Sequence, residues 1–191
     1  MSAVTREQSL NVPNAITIAR LALSLVLFGL MSAGVAWIWC AGLFVFAVLT
    51  DILDGWIARR WQLITTLGRI LDPFADKFIT GGAYLFLLIH PASGVNPWMV
   101  LIVLGREMLV TSLRGYLEQR GADFSASVSG KLKMFLQCLA VTLAMLSLDP
   151  LFAGATFNVV RDVSLWGMVA VTVWSGYIYV LRAIKLIGAG L

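Results

Sequence analysis

The feature that most constrains this chain is a long stretch without charge, because no Asp, Glu, Lys or Arg occurs between Arg20 and Asp51. A membrane-spanning helix needs about 20 apolar residues, so this stretch is too long for a single crossing. Ser, Ala and Gly at residues 32–34 interrupt it with turn-forming side chains. The stretch therefore predicts two antiparallel helices joined by a tight connection. Composition agrees, since 60% of the residues are hydrophobic and only 13% are charged, whereas soluble domains have about 25% charged residues.

The same reasoning along the whole chain predicts an all-α integral membrane protein with six transmembrane helices. Two prolines within residues 91–97 separate the third helix from the fourth, and Asp149 with Pro150 ends the fifth. We expect one membrane-embedded domain over residues 1–191, with an interfacial segment at 1–13. The expected helices are 14–32, 35–60, 68–90, 97–119, 127–148 and 160–187.

Positive charge is distributed unevenly over these expected helices. Of the 14 Lys and Arg residues, only Arg161 lies toward the end of the bundle opposite the two termini. Because Lys and Arg are enriched on the cytoplasmic side of membrane proteins, we expect both termini at the cytoplasmic face of a bacterial-type inner membrane. The net charge of +4 then reflects topology and anionic lipid, and we expect no nucleic-acid partner.

Four aspartates lie inside the expected spans, near the same end. Asp51 and Asp54 are three residues apart, and Asp72 and Asp76 are four apart, so each pair occupies one face of its helix. Since the loop between the two helices is short, the pairs should face each other at one depth. An ionisable group in a membrane span costs at least about 2.5 kcal/mol, which makes these residues functional candidates.

Carboxylates gathered in one pocket repel each other, and divalent cations would relieve that repulsion. Oxygen ligands without histidine or cysteine suit Mg²⁺ or Mn²⁺, and a pair of such ions is commonly used for displacement at phosphorus. A cation or proton transporter would use the same residue types and is the non-enzyme alternative, although it predicts inverted repeats or broken helices that we do not find. Small residues at this level allow a ligand to approach, with close helix packing as the alternative.

Residues 51–59 read DILDGWIAR, and after eight further residues 68–76 read GRILDPFAD. Together they resemble, without departure, the signature of the CDP-alcohol phosphotransferases. The resemblance implies a membrane enzyme of six helices, usually a homodimer. Such an enzyme transfers a phosphatidyl or similar group from a CDP-linked donor to an alcohol and releases CMP.

The resemblance also implies roles for individual residues. Asp51, Asp54 and Asp72 would hold the metal ions, while Asp76 would complete the site and act as general base for the acceptor hydroxyl. The cytidine nucleotide pocket would be lined by Gly55, Ala58 and Arg59, with Gly68 permitting close approach.

Basic residues near the same end bear on the acceptor alcohol. Arg114, Lys131 and Lys133 form an expected basic patch that suits a phosphorylated acceptor, because a phosphate dianion requires charged donors. Three further stretches, NVPNAITIAR at 11–20, REMLVTSLR at 106–114 and SVSGKLKMFLQ at 127–137, resemble the branch of the family that uses sn-glycerol 3-phosphate. This resemblance departs at Gly105 and Met134. The expected acceptor-phosphate ligands are Arg106, Arg114, Ser129, Lys131 and Lys133.

The remaining assignments each have a structural alternative. Thr17 and Arg20 would contact phosphates of the donor lipid, or would cap and anchor a helix end. Arg106 would bind the acceptor, or would form a neutralising pair with Glu107. Lys131 and Lys133 would serve equally as positive anchors at the membrane surface.

The reaction implied by the extended resemblance starts from CDP-diacylglycerol and glycerol 3-phosphate and yields phosphatidylglycerol phosphate and CMP. Related synthases that use inositol phosphate, or that make cardiolipin, are the alternatives within the family.

Overall fold

A computed structural model of the chain describes residues 12–34, 36–60, 66–120 and 128–188. Over these ranges the chain forms six α-helices and two short 3-10 helices, and no β-strand occurs within them, which confirms the all-α prediction. The 3-10 helices are Pro91–Ser93 and Pro150–Phe152. The α-helices are α1 (Val12–Ser32), α2 (Trp37–Arg60), α3 (Thr66–Leu88), α4 (Pro97–Gln119), α5 (Val128–Leu146) and α6 (Ala155–Gly188).

The helix ends lie within two residues of the expected ranges, except for the start of α6. Helix α5 ends at Leu146, after which Asp149 accepts a hydrogen bond from the amide of Leu151 at 3.1 Å and starts the second 3-10 helix. Helix α6 begins at Ala155 instead of residue 160, so the polar residues before its apolar run are helical as well. Most of the expected interfacial segment, residues 1–11, lies outside the described residues.

Two described helices are long and apolar enough to cross a membrane by length and composition, Asn14–Ser32 and Ala155–Gly188. Shorter apolar helices cover Trp37–Asp51 and Leu132–Leu146. Helices α3 and α4 carry charged residues in their interiors, among them the aspartates and the arginine that the sequence marks as functional. The crossing of the membrane by all six helices stays a prediction.

The chain divides into two compact units, Met1–Phe86 and Leu87–Leu191. In the first unit α1 packs against α2 and contacts α3 through the ring of Phe28. That ring stacks on Phe86, with centroids 5.1 Å apart, and meets Phe78 edge-on at 5.5 Å. A Cβ atom at Gly82 would lie 2.1 Å from the Phe28 ring, so only glycine leaves the ring its space.

Two contacts define how α1 and α3 run relative to each other. Thr17 bonds to Asp72, and further along both helices Phe28 lies against Gly82. The contacts are eleven residues apart on α1 and ten apart on α3, which at 1.5 Å per residue is about 16 Å and about 15 Å. The two helices therefore run in the same direction with matched register, as helices separated by one antiparallel partner must.

In the second unit α6 packs against both α4 and α5. A buried cluster joins α4 to the second half of α6, with Val110 and Leu117 on one helix and Tyr179 and Ala183 on the other. The two residues on α4 are seven apart and the two on α6 are four apart, so on each helix they lie along a single stripe.

Arg161 lies near the start of α6 and is 8% exposed. Its guanidinium donates to the carbonyl of Ala92 at 2.7 Å and to the side chains of Asn158 at 3.1 Å and Ser147 at 3.3 Å. Its charge is balanced by Asp162 at 2.8 Å. The one basic residue expected at this end of the bundle therefore ties the loop before α4 and the end of α5 to α6.

Gly94 follows the first 3-10 helix with φ +75, and a Cβ atom there would lie 2.7 Å from Arg161 Nε. Gly34 has a similar φ of +65 but open space around it.

We expect Gly34→Ala to lower the free energy of unfolding by about 1 kcal/mol, from left-handed strain alone. Gly94→Ala should lower the free energy of unfolding by roughly 3 kcal/mol, because it also displaces the buried guanidinium of Arg161. Thermal unfolding in detergent compares them, and equal losses would contradict the Arg161 contact.

Candidate functional site

The second and third turns of α1 contact two of the predicted aspartates. Thr17 Oγ1 donates to Asp72 Oδ1 at 2.7 Å, and Arg20 Nη1 forms an ion pair with Asp51 Oδ1. Thr17 and Arg20 are three residues apart and share one helix face. Carboxylates from α2 and α3 therefore meet the same face of α1, about one turn apart. This contact with α1 does not follow from the spacing of the aspartate pairs, and the expectation that the two pairs face each other stays a prediction.

Burial differs across these contacts. The side chain of Arg20 is 1% exposed and that of Asp51 is 24% exposed. Thr17 is fully buried, and Asp72 is half-buried. A guanidinium this deep requires a counter-ion, because an unpaired buried charge costs several kcal/mol. The donors on α1 thus lie behind the carboxylates, which face the more open side.

The other residues of the signature lie on the same two helices. Asp76 is half-buried on α3, one turn after Asp72, and its carbonyl accepts a hydrogen bond from Thr80 Oγ1 at 2.7 Å. Gly68 is buried in the first turn of α3. Asp54, Gly55, Ala58 and Arg59 belong to α2, and their side chains lie outside the described part of the structure.

Asp51 and Asp72 offer the hard oxygen donors that Mg²⁺ and Mn²⁺ prefer, so the residues at this site fit a divalent cation. Among the described side chains, no group of three or more His, Cys, Asp or Glu is close enough to hold a metal ion. Three of the four expected metal ligands, Asp51, Asp72 and Asp76, are therefore described without forming such a group, and the side chain of Asp54 lies outside the described residues.

A second polar cluster lies in the other compact unit and is organised by Glu107 on α4. Its Oε1 atom accepts from Lys133 Nζ at 2.5 Å and from Arg106 Nη1 at 3.1 Å. Arg106 also donates to Ser175 Oγ at 2.7 Å and lies over the ring of Tyr179, 5.2 Å from its centroid. The cluster links α4, α5 and α6.

These contacts identify Glu107 as the shared counter-ion of two predicted acceptor ligands. The side chains of Arg106, Glu107 and Lys133 are 9%, 17% and 8% exposed. The neutralising pair considered from the sequence is therefore present, and Lys133 belongs to it. Ser175 and Tyr179 were not anticipated, although a Ser-Gly pair one turn before a tyrosine in an apolar helix is a usable signal.

The remaining predicted acceptor ligands are less defined. Arg114 is half-buried on α4, two turns beyond Arg106, and within the described part of the chain its buried Nε atom has no hydrogen-bond acceptor. Ser129 and Lys131 belong to α5, with side chains outside the described residues. The structure thus brings together Arg106 and Lys133 of this set.

Comparison with known proteins gives consistent results. Residues 10–174 match the family model described as CDP-alcohol phosphatidyltransferase. The CDP-diacylglycerol–glycerol-3-phosphate 3-phosphatidyltransferase of Bacillus subtilis is 36% identical over 186 residues, covering 88% of this chain and 93% of that protein. The protein of the same name from Rickettsia bellii is 35% identical over 174 residues, with the same coverage. A probable phosphatidylglycerophosphate synthase of Mycobacterium tuberculosis is 36% identical over 194 residues, covering 96% of this chain and 86% of its own length.

We expect Glu107→Gln to lower the free energy of unfolding by about 3 kcal/mol, because it leaves Arg106 and Lys133 as neighbouring buried cations. Adding Lys133→Met to the same protein should recover part of this loss, since one of the two uncompensated charges is then removed. Thermal unfolding of both variants in detergent measures the difference. A double variant that is less stable than Glu107→Gln alone would contradict the role of Glu107 as shared counter-ion.

Proposed function

This chain belongs to the CDP-alcohol phosphatidyltransferase family, and we propose on that basis that it transfers the phosphatidyl group of CDP-diacylglycerol to sn-glycerol 3-phosphate. The products are phosphatidylglycerol phosphate and CMP, which makes the protein a transferase of phospholipid biosynthesis. One observation carries the proposal: relatives named for this reaction match the chain over 88% of its length at 35–36% identity.

The family is in general dependent on a divalent metal ion. We assign two Mg²⁺ or Mn²⁺ ions to Asp51, Asp54 and Asp72, with Asp76 completing the site. When bound, such ions neutralise the charge of a pyrophosphate and of the oxygens that attack and leave its phosphorus. The assignment is supported by the contacts of Asp51 and Asp72 with one face of α1.

Asp76 is assigned as general base. It would accept the proton of the primary hydroxyl of glycerol 3-phosphate while the hydroxyl oxygen attacks the phosphorus nearest the lipid and CMP leaves. Its position one turn after Asp72 on α3 supports this role, because residues four apart lie on the same helix face. The cytidine nucleotide is assigned to a pocket at Gly55, Ala58, Arg59 and Gly68.

The acceptor phosphate is assigned to the basic residues of α4 and α5, which are Arg106, Arg114, Ser129, Lys131 and Lys133. Two observations support this. Lys133 and Arg106 are already oriented by Glu107, so a phosphate approaching them meets donors in fixed positions. Arg114 has a buried Nε donor that no described group accepts.

We also propose that all six helices cross the inner membrane, that both termini and the active site are cytoplasmic, and that the protein is a homodimer. The parallel course of α1 and α3 supports the crossings, since successive spans alternate in direction. The concentration of Lys and Arg toward the ends of the helices that carry the aspartates supports the orientation.

The reaction is tested with purified protein in detergent micelles, CDP-diacylglycerol, Mg²⁺ or Mn²⁺, and one acceptor at a time, with CMP release as the measurement. We expect CMP with glycerol 3-phosphate and none with inositol phosphate, serine or phosphatidylglycerol. Addition of EDTA should abolish the release. CMP with inositol phosphate alone would overturn the acceptor assignment, and no CMP with any acceptor would overturn the reaction itself.

Asp76→Asn should lower kcat by about 10²–10⁴-fold, because a positioned general base contributes that much. Binding of CDP-diacylglycerol should persist. Asp149→Asn is the matched control, because that aspartate caps the second 3-10 helix and asparagine caps about equally well, so turnover should stay within about twofold. Turnover by Asp76→Asn that equals the control would remove Asp76 as the base.

A further inference from the structure

We propose that Thr17 and Arg20 are positioning residues, which orient the carboxylates of Asp72 and Asp51 toward the divalent cation. Each donates to the Oδ1 atom of its aspartate, Thr17 at 2.7 Å and Arg20 as an ion pair. The inference rests on the proposed function, because it takes these two aspartates as metal ligands. It differs from the expectation that Thr17 and Arg20 contact the phosphates of the donor lipid.

The burial of Thr17 and Arg20 favours the positioning role over direct contact with the phosphates of the donor lipid. Thr17 is 0% exposed and Arg20 is 2% exposed, so neither presents surface to a ligand. The side chain of Asp51 is 24% exposed, so it is the more accessible partner of the ion pair. A side chain in the position of Arg20 acts on a ligand through the carboxylate in front of it.

The contacts also restrict how each carboxylate is oriented. A carboxylate has two oxygens and about four acceptor positions, so one bond to Oδ1 does not exhaust its capacity to bind a cation. That bond restricts rotation of the carboxylate and hence the directions in which its other acceptor positions point. Hydrogen bonds of this kind to ligating groups typically change metal affinity by about 10–100-fold when they are removed.

Thr17 and Arg20 both belong to α1, and a separate contact further along this helix defines its position relative to α3. The ring of Phe28 lies against Gly82 of α3, about 16 Å along α1 from Thr17 at 1.5 Å per residue. Because that contact sets the register of α1, it also sets the height at which Thr17 meets Asp72. The carboxylates from α2 and α3 are thus held about one turn apart along a single helix.

Arg20 could act on the metal site by orienting Asp51 or by its positive charge, and these two actions predict opposite changes in metal affinity when Arg20 is removed. If Arg20 orients Asp51, its removal weakens metal binding. If its positive charge mainly repels the cation, its removal strengthens metal binding. Thr17 carries no charge, so its variants report orientation alone.

The test uses full-length protein in detergent micelles, stripped with EDTA and titrated with Mn²⁺ in the absence of substrate, with free Mn²⁺ measured by electron paramagnetic resonance. We expect Thr17→Val to weaken Mn²⁺ binding by about 10-fold, and Thr17→Ser to bind within about threefold of the original protein. Arg20→Met should weaken binding by at least about 10-fold. Thr142→Val is the matched control, since that hydroxyl bonds to the carbonyl of Cys138 on its own helix, and it should change nothing.

A catalytic measurement distinguishes the donor-phosphate role. Thr17→Val should regain CMP release at saturating Mn²⁺, whereas a lost phosphate contact would leave a raised KM for CDP-diacylglycerol under those conditions. The positioning role is overturned by that raised KM, and equally by a Mn²⁺ affinity of Thr17→Val that is unchanged or tighter. In either case CMP release by the original protein still upholds the proposed function. If the original protein releases CMP but binds no Mn²⁺, the metal assignment and the positioning role are both overturned.

Discussion

Each charge buried among these helices has to be neutralised by another side chain, because a lipid environment offers neither water nor counter-ions. This constraint determines much of the tertiary structure, because a neutralising partner on another helix also fixes the distance between the two helices. Among the described residues, Arg20 with Asp51 and Lys133 with Glu107 are such pairs between helices. Arg106 with Glu107 and Arg161 with Asp162 are neutralised within a single helix.

In the proposed reaction some of these groups have a second partner. Asp51 is the counter-ion of Arg20 in the fold and a ligand of a divalent cation in the active site. Four aspartates and Arg20 together give the proposed site a charge of about −3, two divalent cations change it to about +1, and this positive charge attracts the pyrophosphate of the donor. The same electrostatic requirement that stabilises the helices therefore prepares the site for its metal ions and for an anionic lipid nucleotide.

Several features follow from local sequence alone. The spacing of Asp51, Asp54, Asp72 and Asp76 defines helix faces, and the turn residues define most helix ends. Partners distant in sequence do not follow in this way: periodicity places Thr17 and Arg20 on one face of α1 but does not say which side chains that face meets. The start of α6 at Ala155, five residues before the expected helix, is likewise not evident from local sequence. Asn158 in the added residues accepts a hydrogen bond from Arg161, whose other partners, Ala92 and Ser147, are distant in sequence.

The packing of Phe28 against Gly82 has a consequence for how this protein can change over evolution. It fixes one point of α1 on α3, and the contact of Thr17 with Asp72 fixes another, so the helix between them acts as a spacer of set length. Substitutions on its lipid-facing side leave that length unchanged. An insertion of one residue would shift the polar end by 1.5 Å and rotate it by about 100°, turning both donors away from the carboxylates. The segment is therefore tolerant of variation in composition and intolerant of variation in length.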